Sequence, residues 1–492
     1  MKWLFSSGEG LRSRAVRSGV WAGMLRGADL LSNLIKLVVL ARLLAPADFG
    51  TLGIALLTLG VLETFSQTGF QQALIQKSDD IKDDLNSAWT VLILRGAGLF
   101  ALLYFLAPFV ADFFNSPQAT AVIQVMGATL LLQGITNIGV IHFQKDLEFN
   151  RQFLFRFSGT VVDVIVSITL VLLFRNVWAL VFGLVARDAT RFIVSYIIHP
   201  YRPGLSFDVR RAGSLFRFGK WILGSSILLF LLTQGDDILV GKLLGVAALG
   251  FYQLAYRISN SPATEITHVV SLVAFPLYSK LQSDAARLRG AYLKVLKLIS
   301  FLAFPVSGLI LVLAPDFTGV FLGAKWMPMV PALQLLCIFG ATRMLNATTG
   351  PVFQGIGRPG VSTIGSVFQL IIFASIIYPL TLKWGLIGAS LAVIMPNLFF
   401  MAYIAYQMTA KVGFRFAELA GALAPSFIAS AAAFGLIHYL KANFWGAMAV
   451  QGFAVYSVLG LVSYAVFSLA LDRIFPNGTR DILLGLFRGG AL

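Results

Sequence analysis

Apolar segments of about 20 residues recur along the whole 492-residue chain, and no other feature limits its fold as strongly. Built as a helix, a stretch of that length crosses a hydrocarbon core of roughly 30 Å. Within hydrocarbon every backbone amide must be bonded inside the chain, which leaves only helices and closed barrels. Barrel strands would show as short segments of alternating hydropathy, a pattern this sequence lacks. Only 12% of residues are charged and mean hydropathy is +0.82, too little charge to clothe a soluble surface of this size. The pattern predicts an all-α integral membrane protein with about 14 transmembrane helices. They fall at 18–43, 47–73, 86–112, 119–143, 153–174, 177–199, 214–243, 247–278, 291–321, 328–353, 360–382, 385–410, 416–440 and 445–471. The connections leave no room for a soluble domain.

Basic residues set the orientation. With the N-terminus inside, the segments on the far side hold Arg42, Arg175, Lys242, Lys325, Lys383 and Lys441 out of 38 Lys and Arg. Lys and Arg accumulate on the cytoplasmic side of membrane proteins, so both termini are expected there. The net charge of +16 then reflects topology and anionic headgroups, not a nucleic-acid partner. The basic N-terminus lacks an apolar stretch ending in a small-residue cleavage site, so no cleavable signal peptide is expected. A single cysteine, Cys337, precludes a disulfide or a cysteine-built metal site. The four histidines have no metal-ligand spacing, and no phosphate-binding G-x-x-x-x-G-K-[ST] occurs. GIGRPG (355–360) follows a helix and contains proline, which suits a turn and not a dinucleotide site.

A shift of 200 residues superposes 17–55 on 217–255 without a gap, with nine of 39 positions identical. Further anchors keep their order: Leu106-Ala107-Pro108 meets Leu313-Ala314-Pro315, Phe143-Gln144 meets Phe353-Gln354, and Trp178 meets Trp384. Six spans therefore repeat as six spans in the same orientation, a parallel repeat about an axis along the membrane normal. The expected domains are an N-terminal six-helix lobe at 1–210, a C-terminal six-helix lobe at 211–411, and two additional helices at 412–492. Repeated halves of this kind place a transport path at their interface.

LARLLAPADFGTLGIA (40–55), VWALVFG (177–183), WGLIGASLA (384–392), FQKDLEFNRQF (143–153) and QGIGRPG (354–360) resemble the polysaccharide-transporter branch of the multidrug/oligosaccharidyl-lipid/polysaccharide exporter superfamily. The match is nearest to the exopolysaccharide and lipopolysaccharide repeat-unit flippases and covers essentially the whole chain. The resemblance implies a bacterial or archaeal inner-membrane flippase, not an enzyme. It would carry a polyprenyl-pyrophosphate-linked oligosaccharide to the outer leaflet by alternating access. No cofactor is expected; H+ or Na+ could be a coupling ion. Membrane lipids, and polymerase and export machinery, are the partners it implies, around a monomer. A lipid II flippase or an ion-coupled drug exporter would use the same fold. A membrane glycosyltransferase or polymerase would need a large loop or soluble domain.

Charge within the spans marks the candidate site, because each charge at the bilayer centre costs about 2.5–3.5 kcal/mol on insertion scales. Arginine offers a planar fork matched to phosphate oxygens. Arg26, Arg95, Arg187, Arg191, Arg257 and Arg343 form the pool for a pyrophosphate and sugar cavity. Arg187 and Arg191 are four apart and share a helix face. Asp188 and Asp29 sit three residues from Arg191 and Arg26, so local pairing competes with ligand binding. Lys36, Glu63, Asp163, Asp236, Asp237 and Glu265 are the candidates for gating or ion coupling. Asp236 aligns with Lys36 in the repeat, which suggests a partner for Lys36 or another cation across the halves. Pro262, beside Arg257, Asn260 and Glu265, is expected to break or kink its helix.

Overall fold

The computed structural model of the chain describes residues 11–66, 82–146, 148–206, 209–443 and 450–474, and all regular structure among them is helical. Contacts divide the chain into two compact units, Met1–Gly250 and Phe251–Leu492. The first contains α1 (Leu11–Leu43), α2 (Pro46–Phe65), α3 (Lys82–Phe113), α4 (Ala119–Ile135), α5 (Phe149–Phe174), α6 (Trp178–Ile198) and α7 (Val209–Leu244). Next come α8 (Val246–Lys280), α9 (Ala285–Phe317), α10 (Val330–Asn346), α11 (Gly360–Val412), α12 (Phe416–Asn443) and α13 (Val450–Ile474).

Among the described residues eight helices are long and apolar enough to cross a membrane. A ninth is added if Ala119–Ile135 and Ile138–Lys145, bent by 75°, form one span. The chain is thus a multi-pass membrane protein. The number is below the expected 14 for two reasons. Charged side chains lower the hydropathy of α1, α6, α7 and α8, which do not qualify. In α11, Gly385 (φ 57°, ψ −132°) breaks one 53-residue helix into two apolar stretches, in a conformation open to little besides glycine. Of the break or kink expected at Pro262, no break occurs: α8 runs through both Pro262 and Pro276. A proline removes one amide hydrogen bond, and in a packed transmembrane helix neighbouring groups can make good that loss. GIGRPG is a turn between the short helix Thr349–Gly355 and α11, with Gly357 at φ 71°.

Burial is inverted relative to a soluble protein. Phe105 and Phe109 are each 72% exposed, whereas Asp188 is 3% and Asp163 5% exposed. Hydrocarbon solvates the former and cannot solvate the latter.

In unit 1 the closest helix pairs are α5 with α6, α3 with α4 and α1 with α5, and α7 lies along α2. Proline at the first position of α2 is preset for a helix, and Asp48 accepts the Ala45 N–H at 2.9 Å. The first turns of α2 and α8 meet at two glycines. A Cβ on Gly50 would overlap the Val246 carbonyl, and one on Gly250 would overlap the Pro46 carbonyl. The two contacts mirror each other, and their residues correspond at the 200-residue offset. The chain leaving α6 is held against α3: Asn86 Oδ1 accepts the Tyr201 hydroxyl (2.7 Å) and the Gly204 N–H (2.9 Å). In unit 2, α9 packs on α10 and α12, α10 on α11, and α12 on α13.

Gly50→Ala should cost about 1–3 kcal/mol or more, because the carbonyl it meets is backbone and cannot rotate away. Gly27, with nothing within 4 Å of a Cβ, should gain about 0.5–1 kcal/mol from the same change through its helix propensity. Thermal melts of the two purified variants in one detergent check this contrast.

Candidate functional site

Two polar ladders line the contact between α1 and α5. On α1, Asp29, Asn33 and Lys36 fall at i, i+4 and i+7; on α5, Thr160, Asp163 and Ser167 fall at i, i+3 and i+7. Both spacings put three side chains on one helix face. Lys36 Nζ donates to Asp163 Oδ1 at 2.5 Å, and Ser167 Oγ donates to the same oxygen at 3.1 Å. Further along the seam, the Thr160 hydroxyl donates to Asp29 Oδ1 at 2.9 Å, and Asn33 Nδ2 to the Asp29 carbonyl at 2.7 Å. Lys36 and Asp163 are both buried. Lys36 thus finds a carboxylate within unit 1, 127 residues away in sequence.

A second group lies on α6. Asp188 Oδ1 accepts Arg187 Nε at 3.0 Å and lies 3.8 Å from Arg191 Nη1. Its Oδ2 accepts Gln133 Nε2 of α4 at 3.3 Å. One buried carboxylate is therefore shared by two guanidiniums, each 29% exposed. Arg191 is also within electrostatic range of Arg156 and Asp29, and Glu63 within that of Arg95, Arg187 and Asp188. Together Lys36, Arg95, Arg156, Arg187 and Arg191 meet Asp29, Glu63, Asp163 and Asp188, so cations are in excess. The excess is guanidinium and lies on the α5–α6 side.

Not every candidate has the same freedom. Arg95 is bound to the end of α2, where its Nε and Nη2 donate to Ser66 Oγ (3.1 and 2.9 Å) and its Nη2 to the Glu63 carbonyl (3.3 Å). Arg26 is half-buried on α1, one turn before Asp29. Asp236 and Asp237 are buried toward the end of α7. In unit 2, Arg257 is exposed, and Glu265 and Arg343 are half-buried. Arg156 belongs with the site but was not expected there. It lies at the edge of a span, and its spacing of three from Gly159 and seven from Asp163 was the available signal.

Unit 2 holds a different feature, a cavity of about 1100 Å³ between α9, α10 and α12. Its walls are apolar, with Phe304, Leu311, Cys337 and Phe427 among them, and it extends along α12 from Ala420 to Ala442. At 1.5 Å per residue that is roughly 30 Å, the thickness of a hydrocarbon core. Lys441 and His438 are at one end, and Lys441 is paired with Asp316 of α9.

A model of a family described as "Polysaccharide biosynthesis protein" matches residues 39–331. The chain is 25% identical over 387 residues to the lipopolysaccharide biosynthesis protein WzxC of Escherichia coli strain K12, covering 77% of this chain and 78% of that protein. The solved structure of the lipid II flippase MurJ in an inward closed conformation superposes with a TM-score of 0.75 at 16% identity, over 93% of this chain and 99% of MurJ. A multidrug resistance MATE family transporter in an inward-facing conformation gives 0.61 at 16% identity, over 78% and 95%. At such identities the likeness concerns the fold.

Asp188→Asn should be strongly destabilising, by about 3–5 kcal/mol, because it leaves two neighbouring guanidiniums without their shared buried counter-charge. Asp146→Asn, on an exposed side chain, should stay within about 0.5 kcal/mol of the parent. The measurement is detergent-solubilised melting and the folded fraction by size exclusion.

Proposed function

The chain belongs to the polysaccharide biosynthesis protein family, and we propose that it flips a polyprenyl-pyrophosphate-linked oligosaccharide repeat unit across the cytoplasmic membrane. The excess of guanidinium on the α5–α6 side carries this reading. A sugar-pyrophosphate headgroup cannot enter hydrocarbon without replacements for its water. It needs cations for the phosphate oxygens and hydrogen-bonding groups for the hydroxyls. Arg187 and Arg191, supported by Arg156, supply the cations, since a phosphate can take over the guanidinium contacts that Asp188 now holds. Thr160, Gln133 and Ser66 are the neutral partners nearby. The apolar cavity of unit 2 suits the lipid chain, which never has to leave an apolar environment.

The repeat supports a division of labour. At the 206-residue offset that aligns Trp178 with Trp384, Arg187, Asp188 and Arg191 fall on Val393, Ile394 and Asn397, and Asp163 falls on Gln369. The halves share a helical plan, but the charge is in the first. In this reading about 14 helices form two six-helix repeats and a C-terminal pair, both termini are cytoplasmic, and alternating access moves the headgroup. Lys36–Asp163, with Glu63, Asp236, Asp237 and Glu265, provides the contacts that exchange partners during the cycle, with a proton or sodium ion as the coupling ion. Polymerase and export machinery receive the product.

Arg187→Ala and Arg191→Ala, combined with Asp188→Asn so that no buried carboxylate is stranded, should abolish polymer export in a strain lacking the wild-type gene, at normal protein levels in the membrane. Unchanged export would exclude these residues from headgroup transfer.

A further inference from the structure

The α5–α6 pair is built from two matching sequence patterns. On α5, Gly159, Asp163 and Ser167 follow at i, i+4 and i+8; on α6, Gly183, Arg187 and Arg191 do the same. Each set lies along one helix face. Because α5 and α6 are antiparallel neighbours, each glycine is opposite the polar side chains of the other helix. A Cβ on Gly159 would be 2.9 Å from both Arg191 Cγ and Nε and 3.0 Å from the Arg187 carbonyl. A Cβ on Gly183 would be 2.6 Å from Asp163 Oδ1 and would overlap the Ser167 hydroxyl outright.

These notches fix where the charges point. Arg191 lies across Gly159 with its Nε buried, so only the terminal nitrogens of its guanidinium are left to face Asp188 and the open side. Asp163 is seated in the hollow of Gly183, where a single oxygen receives both Ser167 and Lys36. A methyl group at position 183 would claim the space of that oxygen. The side chain would have to rotate or the helices separate, since packed interiors have little slack.

We infer that Gly159 and Gly183 are positioning residues of the headgroup path: Gly183 aims Asp163 at Lys36, and Gly159 aims the Arg191 fork. The role in transfer rests on the flippase reading; the aiming of the side chains does not. The effect is local, because neither glycine has a positive φ, so both substitutions leave the helical backbone permitted.

The test separates geometry from transport. Purified protein in nanodiscs is treated with dicyclohexylcarbodiimide, which labels carboxyls that are protonated in an apolar site, and modification of Asp163 is read by peptide mass spectrometry. Asp163 should be protected in the parent, where Lys36 and Ser167 both engage its Oδ1. Gly183→Ala should lower the melting temperature and, in the fraction that stays folded by size exclusion, raise the labelling of Asp163 several-fold. Should Gly183→Ala fail to fold, Ser167→Val crowds the same hollow from α5 and should expose Asp163 equally. Labelling that stays at the parental level in a folded crowding variant would overturn the inference. Raised labelling with undiminished polymer export would uphold the aiming role and reject the part of the flippase reading that assigns Lys36–Asp163 to transfer.

Discussion

Hydrocarbon offers no hydrogen bonds, so any charge drawn into a membrane protein must find its partner inside the bundle. The Lys36–Asp163 pair meets that requirement here. It joins α1 to α5, takes Ser167 as a second donor, and needs α6 to present a glycine where the carboxylate sits. Removing one partner of a buried pair strands the other charge at a cost of about 3–5 kcal/mol, which makes the arrangement all-or-none. The same logic puts Asp188 between Arg187 and Arg191 and ties Arg95 to the end of α2. Unit 1 is held together by these polar contacts as well as by a buried apolar core that includes Leu40, Leu44, Ile54 and Leu103.

That organisation suits a protein that has to bind and then release. A charged group held only by other protein charges can exchange partners when a phosphate arrives, at modest net cost, because one charge-assisted contact replaces another. An apolar core has no such exchange. Unit 2 has buried amides and hydroxyls, such as Asn397 Nδ2 donating to Thr342 Oγ1 at 2.5 Å. It also has a long apolar cavity, which no charged layer interrupts until Lys441.

Much of this was legible in the sequence, because apolar length and charge scarcity are local properties. The ends of α1, α5, α9 and α12 lie within a few residues of the expected spans or extend them into flanking polar sequence. Partner identity was not legible: Lys36 and Asp163 are far apart in the chain, and only folding brings α5 beside α1. At Pro262 the helix continues unbroken, while the break at Gly385 lay inside WGLIGAS, where a glycine among apolar residues gives little warning. Arg156 was missed because it sits at the limit of a span, where a basic residue ordinarily marks the cytoplasmic edge. The unit 2 cavity was invisible because its lining has the same composition as a lipid-facing surface.

In this reading the arginines of the α5–α6 side recognise a lipid pyrophosphate. Native mass spectrometry of the purified protein, titrated with polyprenyl pyrophosphate and with the neutral polyprenol of the same chain length, tests it most directly. The account predicts that the pyrophosphate lipid binds far more tightly, and that added inorganic pyrophosphate competes for the site. Equal binding of the neutral alcohol, with no competition, would contradict it.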